Sequence, residues 1–258
     1  MPFKIPVPII EFSISLKRRH IHKEKMRRLG IIPLLCAALT SQAADRVFES
    51  GPQKVHVIEL FTSQGCSSCP PAEAWLSKLK AEPRLWKDFV PIAFHVDYWD
   101  HLGWRDPFAS KEWTARQYRY SASWKNDCVY TPGFVVDARE SQDRNIPTSS
   151  SDKPGVLKIT LANDNASAEF NPANGTASDV DLHVAMLGFA LNTKPTAGEN
   201  NGRNLHQDFV VLSLTNEKMS DGKAKSRLAT DSRAGAVAAW ITAPNQLEPI
   251  QAVGGWIR

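Results

Sequence analysis

Two cysteines three residues apart, Cys66 and Cys69, are the residues of this 258-residue chain best suited to chemistry. They follow an apolar run, Val55-His56-Val57-Ile58-Glu59-Leu60-Phe61, and precede a helical pattern from Pro70 to about residue 80. Strand, short loop, Cys-x-x-Cys and helix is the layout of a dithiol redox site. A thiol in the first turn of a helix faces backbone N–H groups with no intrahelical partner and the positive end of the dipole, which together stabilise its thiolate. The expected roles are attack by an exposed Cys66 thiolate and resolution of the mixed disulfide by Cys69. The redox-active Cys66–Cys69 disulfide is then the reactive group, and no separate cofactor is expected. The same pair would also serve as a plain structural disulfide. A zinc site is disfavoured, because the sequence has no second Cys-x-x-Cys and no His-x-x-x-His to complete four ligands.

Other residues gather around this pair in the reading. Glu59 is a carboxylate inside an apolar strand; buried there, it would accept or return a proton as Cys69 reacts. Thr131-Pro132 stands just before an apolar strand, and a cis proline at that place would abut the dithiol and offer a neighbouring backbone to a bound peptide. Tyr98 and Trp99 open an aromatic run after a strand, where α/β sheets line their ligand crevices, so they are expected to contact substrate. Cys128 is a third thiol four residues before Pro132, expected to be mostly buried and outside the resting disulfide. His95, Asp97, Asp100 and His101 lack compact metal-motif spacing and read as hydrogen-bonded loop residues; no metal is assigned.

The elements that must position these groups alternate: strand 55–61, helix 70–80, strand 91–96, helix 107–124 with Asp106-Pro107 as its start, strand 134–136. Residues 144–155 read as a linker. Beyond it, runs such as 157–161, 180–186 and 209–214 are strand-like and separated by Asn, Asp, Gly and Pro turns. The expected organisation is an α/β domain over 45–145 followed by an all-β, sandwich-like domain over 155–258.

Residues 1–44 read as a leader. Met26-Arg27-Arg28 is a basic n-region and the expected true start, Leu29 to Leu39 an apolar stretch, and Ser41-Gln42-Ala43 a small-residue cleavage site. The apolar stretch is too short for a stable membrane span. Residues 1–43 hold eight of the 31 Lys/Arg and two of the 27 Asp/Glu, so the formal charge of +4 belongs to them; 23 basic and 25 acidic residues remain beyond. That balance gives no reason to expect a nucleic-acid partner. A periplasmic or secreted location follows, where disulfide chemistry is permitted.

Strand, Cys-Ser-Ser-Cys, helix, strand, helix and Tyr130-Thr131-Pro132-Gly133 before a strand resemble the thioredoxin fold. The longer strings Glu59 to Ala72, His95-Val96-Asp97-Tyr98-Trp99-Asp100 and Val129-Tyr130-Thr131-Pro132 resemble the secreted bacterial family catalogued as domain of unknown function 1223. The likeness extends more loosely through Gly198-Glu199-Asn200-Asn201-Gly202-Arg203. It implies fold and export, and no substrate. One departure stands out: after the proline strand, Ala138 to Gly155 carries no helical pattern, so the β segment is expected to cover the face a closing helix would occupy. The function expected is thiol–disulfide oxidoreduction on protein or peptide thiols and disulfides. The alternatives are copper or other metal handling by the same thiols and a non-catalytic binding protein of thioredoxin-like fold.

Overall fold

The computed structural model describes residues 45–175, 179–229 and 231–258; the leader expected over 1–44 lies outside them. The first part of the described chain runs β1 (Arg46–Glu49), β2 (His56–Thr62), α1 (Pro70–Lys78), β3 (Phe89–His95), α2 (Lys111–Ser123), β4 (Gly133–Val136) and β5 (Arg139–Ser141). The rest is strand: β6 (Gly155–Ala162), β7 (Asn165–Pro172), β8 (Val180–Gly188), β9 (Leu191–Thr193), β10 (Leu205–Gln207), β11 (Val210–Met219), β12 (Lys223–Arg227), β13 (Ala234–Thr242) and β14 (Pro249–Trp256).

These strands overturn the expected α/β thioredoxin-like domain followed by an all-β domain. The protein is mostly β, and strands from both halves of the chain share one sheet of eight, ordered β14-β13-β8-β11-β3-β2-β4-β5. β2 and β3 are parallel, and β4 returns antiparallel to β2. β11 lies parallel to β3 at Val210 and Ala93, with the Ala93 N–H donating to the Phe209 carbonyl at 2.8 Å. β1, from the N-terminal side, pairs instead with β6 in a second sheet ordered β1-β6-β7-β12. The physical reason is edge satisfaction. Strand alternation identifies β2, β3 and β4 but leaves the far edge of β3 open; the start of β11 pairs with it at Val210 and Ala93, and the backbones of Leu85 and Ala109 pair with its two ends. Helix α2 is also shorter than expected, because Ser110 rather than Asp106 caps it, accepting from the Glu112 N–H at 3.1 Å.

Strands β2, β3, β8 and β13 of the large sheet are buried on both faces along most of their length, which their sequences show as largely apolar runs. Along β8 and β13, Leu182, Val184, Val237, Ala239 and Ile241 pack with Leu157, Ile159 and Phe170 of the second sheet. Their alternates Ala185, Leu187, Ala236, Ala238 and Trp240 join the core that also holds both helices. Across β2 the helices take opposite faces. Glu59 and Phe61 meet Arg116 and Tyr120 of α2, while Thr62 meets Glu73 of α1. Gln251, fully buried in β14, ties the parts together. Its amide donates to the carbonyls of Gly155, Gln53 and Gly51, and its oxygen accepts from the Val55 N–H at 2.8 Å.

Because β3 depends on β11, residues 45–150 produced alone are expected to be unfolded or insoluble. Residues 45–258 should unfold in one calorimetric transition. A monomeric 45–150 fragment as heat-stable as the longer chain would show that the shared sheet is not required.

Candidate functional site

Cys66 and Cys69 are paired, with Cα atoms 5.5 Å apart, inside the usual disulfide range. Cys69 occupies the N-cap position of α1, and Pro70 and Pro71 fill its first two positions. Proline carries no N–H, so two of the donors that would otherwise face a thiolate here are missing, leaving the dipole and the loop. The loop is itself engaged. Ser67 donates through its N–H at 2.9 Å and its hydroxyl at 2.7 Å to the exposed carboxylate of Glu199. These bonds, backbone first, hold Glu199 below the usual carboxylate range. Asn200, wholly buried, donates to the carbonyls of Gln64 at 2.9 Å and Cys66 at 2.8 Å. The segment between β9 and β10 thus sits on the dithiol loop. Contrary to the expectation of an exposed Cys66, both cysteines are buried, at 1% and 0% exposure.

The proline loop abuts the pair as expected. The Thr131–Pro132 peptide is cis, and the Cys66 sulfur lies 3.7 Å from the Thr131 carbonyl oxygen. Trp99 Nε1 donates to the Thr131 hydroxyl at 2.8 Å, and Tyr98 donates to Gln117, whose amide donates in turn to the Tyr130 carbonyl at 2.7 Å. The aromatic loop therefore fixes the proline loop. Burial pushes the Tyr98 hydroxyl up to about 12, so it stays protonated. Trp99 also explains Gly65: a Cβ at that residue would stand 2.7 Å from the Cβ of Trp99. Cys128 corrects the sequence expectation. It follows α2 in an exposed turn where Ser121 donates to its carbonyl, and its thiol is exposed rather than buried.

Buried acids are arranged differently from what the sequence suggests. Glu59 is buried, but it points toward α2. It accepts two bonds from the Arg116 guanidinium at 2.7 and 2.8 Å and a third from the Tyr120 hydroxyl. That guanidinium also lies over the rings of Phe94, Tyr120 and Trp240. On the other face, Glu73 is buried without a bonded cation and accepts from the Thr62 hydroxyl at 2.7 Å. Burial raises its carboxyl above the ordinary value despite the neighbouring His95 and the Thr62 bond. His95, expected as a hydrogen-bonded loop residue, is a core side chain, with Nδ1 2.7 Å from Asp106 Oδ2. Burial pulls its imidazole down, but Asp106 and Glu73 together outweigh this and leave it raised. Asp106 also accepts from the Gln64 N–H at 2.8 Å, two residues before Cys66, and from the Phe108 N–H. Of the remaining loop residues, Asp97 accepts from the Thr114 hydroxyl, Asp100 accepts from the Asp106 N–H, and His101 Nδ1 lies 2.7 Å from the Tyr98 carbonyl oxygen.

Sequence reading therefore missed Glu73 and took Asp106 only as a helix start. A signal for Glu73 was present in the spacing: Cys69, Ala72, Glu73 and Leu76 form one helical stripe, and all four are buried. Glu59→Gln should lower stability by about 3–5 kcal/mol in urea titrations, because Arg116 is left buried without its counter-charge. Asn200→Ala should cost about 1–3 kcal/mol through the orphaned Gln64 and Cys66 carbonyls and should speed reduction of the disulfide by dithiothreitol.

No curated protein matches the chain. Among solved structures, a crystal structure of a protein from Agrobacterium tumefaciens is 25% identical, with a TM-score of 0.57, covering 79% of this chain and 94% of that one. HBP35 of Porphyromonas gingivalis is 16% identical, with a TM-score of 0.50, covering 80% of this chain and 76% of the other, a likeness of fold alone. The family described as "Protein of unknown function (DUF1223)" matches residues 57–242, which span the dithiol, the proline loop, the Glu199-Asn200 segment and the shared sheet apart from β14, and the chain belongs to that family.

Proposed function

We propose that this protein is an exported thiol–disulfide oxidoreductase acting on protein or peptide thiols and disulfides. The observation that carries the reading is the Cys66 sulfur 3.7 Å from the Thr131 carbonyl, with cis Pro132 next in the chain and Cys69 at the start of α1. In this arrangement Cys66 attacks a substrate sulfur, Cys69 displaces the substrate from the mixed disulfide, and the Thr131-Pro132 backbone positions the substrate beside Tyr98 and Trp99. Glu59 is committed to Arg116 and is not given the proton-transfer role. Export rests on the basic and apolar run from Met26 to Leu39 and on the need of a lasting disulfide for an oxidising compartment. No helix among the described residues is long and apolar enough to cross a membrane.

A second reading has its own support. Burial of both cysteines under Asn200 favours a structural disulfide that staples the loop, leaving the protein a non-catalytic binder. Copper handling calls for a third soft ligand beside the two sulfurs. Among the described residues no three His, Cys, Asp or Glu are gathered to hold a metal.

The readings separate in one assay. Reduced protein is mixed with a peptide carrying one disulfide, and products are followed by mass spectrometry. The oxidoreductase reading expects peptide reduction by the wild type, none by Cys66→Ser, and a trapped Cys66–peptide mixed disulfide with Cys69→Ser. If the wild type leaves the peptide untouched and its own disulfide yields to reductant only on unfolding, the structural reading replaces it.

A further inference from the structure

The chemistry proposed above needs a group to take the Cys69 proton when that sulfur attacks and to return it when that sulfur leaves. Cys69 is fully buried, so bulk water does not reach it directly. Glu73 follows one turn later in α1. Its N–H donates to the Cys69 carbonyl at 3.1 Å, so the two residues lie on one face of the helix. Both belong to the buried stripe, and Glu73 is 5% exposed. Its Oε1 is held by Thr62, leaving the carboxylate without a bonded cation. The groups facing it from the packed elements are Thr62 of β2, His95 at the end of β3, Asp106 before α2 and Gln207 of β10. The His95 ring is fixed through Nδ1 by Asp106, while its Nε2 is buried and unpartnered. Unpartnered buried polar groups cost free energy, and they concentrate where a protein does chemistry.

We infer that Glu73 handles the proton of Cys69, and that His95 and Asp106 are positioning residues that set its charge state. The inference deepens the oxidoreductase reading and rests on it for its biological meaning. When the reduced protein attacks a substrate disulfide, the Cys66 thiolate bonds to one substrate sulfur and the substrate S–S bond breaks. The first substrate sulfur leaves as a thiolate. Cys69 S–H then passes its proton to the Glu73 carboxylate. The Cys69 thiolate attacks the Cys66 sulfur, and the mixed S–S bond breaks. The second substrate thiolate departs and two electrons have passed from the dithiol to the substrate. In the reverse direction an external thiolate attacks Cys66, Cys69 leaves as the thiolate, and protonated Glu73 returns the proton.

Reduction of the resting Cys66–Cys69 disulfide by dithiothreitol tests this without any physiological substrate. The rate is followed by tryptophan fluorescence between pH 5 and pH 9 in the wild type, Glu73→Gln and His95→Gln, each checked for folding by circular dichroism. Glutamine keeps the acceptor for Thr62, so Glu73→Gln removes the proton-handling ability and the carboxylate charge near His95 while leaving that bond in place. After correction for the dithiothreitol thiolate, Glu73→Gln should be slower by about 100-fold, the lower end of general acid–base contributions. It should also lose the inflection that the wild type shows above the ordinary glutamate range. His95→Gln removes the cation that pulls the Glu73 carboxyl down, so it should move that inflection to higher pH; this arm decides if Glu73→Gln fails to fold. Rates for Glu73→Gln within about twofold of the wild type across the range would overturn the inference, as would an unmoved inflection in His95→Gln. The two proposals fail separately. Slow reduction of Glu73→Gln without turnover of any peptide keeps the proton role and removes the enzyme reading, whereas peptide turnover with Glu73→Gln at wild-type rates does the reverse.

Discussion

Strand β3 must find hydrogen-bonding partners on both edges, and the architecture answers to that demand. β2 serves one edge along its whole length, and β11, more than a hundred residues later in the chain, meets the middle of the other at Val210 and Ala93. Once β11 is fixed, β8, β13 and β14 extend the sheet in order, and the second sheet packs over their outer face. The loop between β9 and β10, immediately ahead of β11, is thereby brought onto the dithiol. Site and scaffold are thus not separable into a redox part and a β part.

Within that frame the two faces of β2 sort the buried charges. On the α2 face, Glu59 and Arg116 satisfy each other and Tyr120, with aromatic rings around the guanidinium, so this pair holds the helix to the sheet. On the α1 face Glu73 has no bonded cation, and its raised carboxyl is the physical result of burial outweighing the nearby His95. Buried carboxylates within one small domain therefore have different work, set by which helix each one meets.

Much of this was legible in the sequence, and the failures have physical causes. The strands flanking the dithiol, both helices and the strand runs after residue 155 were all readable from local periodicity. The approach of the Thr131-Pro132 loop to Cys66 followed from its place before β4. Pairing of β3 with β11 was not readable, because either edge partner satisfies the same backbone groups and nothing local names the choice. Asp106 looked like a helix cap, since Asp-Pro is a sound start signal, but its carboxylate is drawn instead to His95 and the Gln64 N–H. Cys128 was expected inside because free cysteine packs as a small hydrophobe, yet the turn after α2 leaves it at the surface.

The Glu199-Asn200 segment has a kinetic meaning. With Asn200 bonded to the Cys66 carbonyl and Cys66 at 1% exposure, no external sulfur reaches the pair in this conformation. Any bimolecular reaction at the disulfide proceeds from an opened population, and its observed rate is the intrinsic rate multiplied by that population. Each ~1.4 kcal/mol that the buried Asn200 bonds contribute to closure lowers the observed rate about tenfold without altering the sulfurs. The reactivity of Cys66 is therefore set by a hairpin more than 130 residues away in the chain as well as by its own helix.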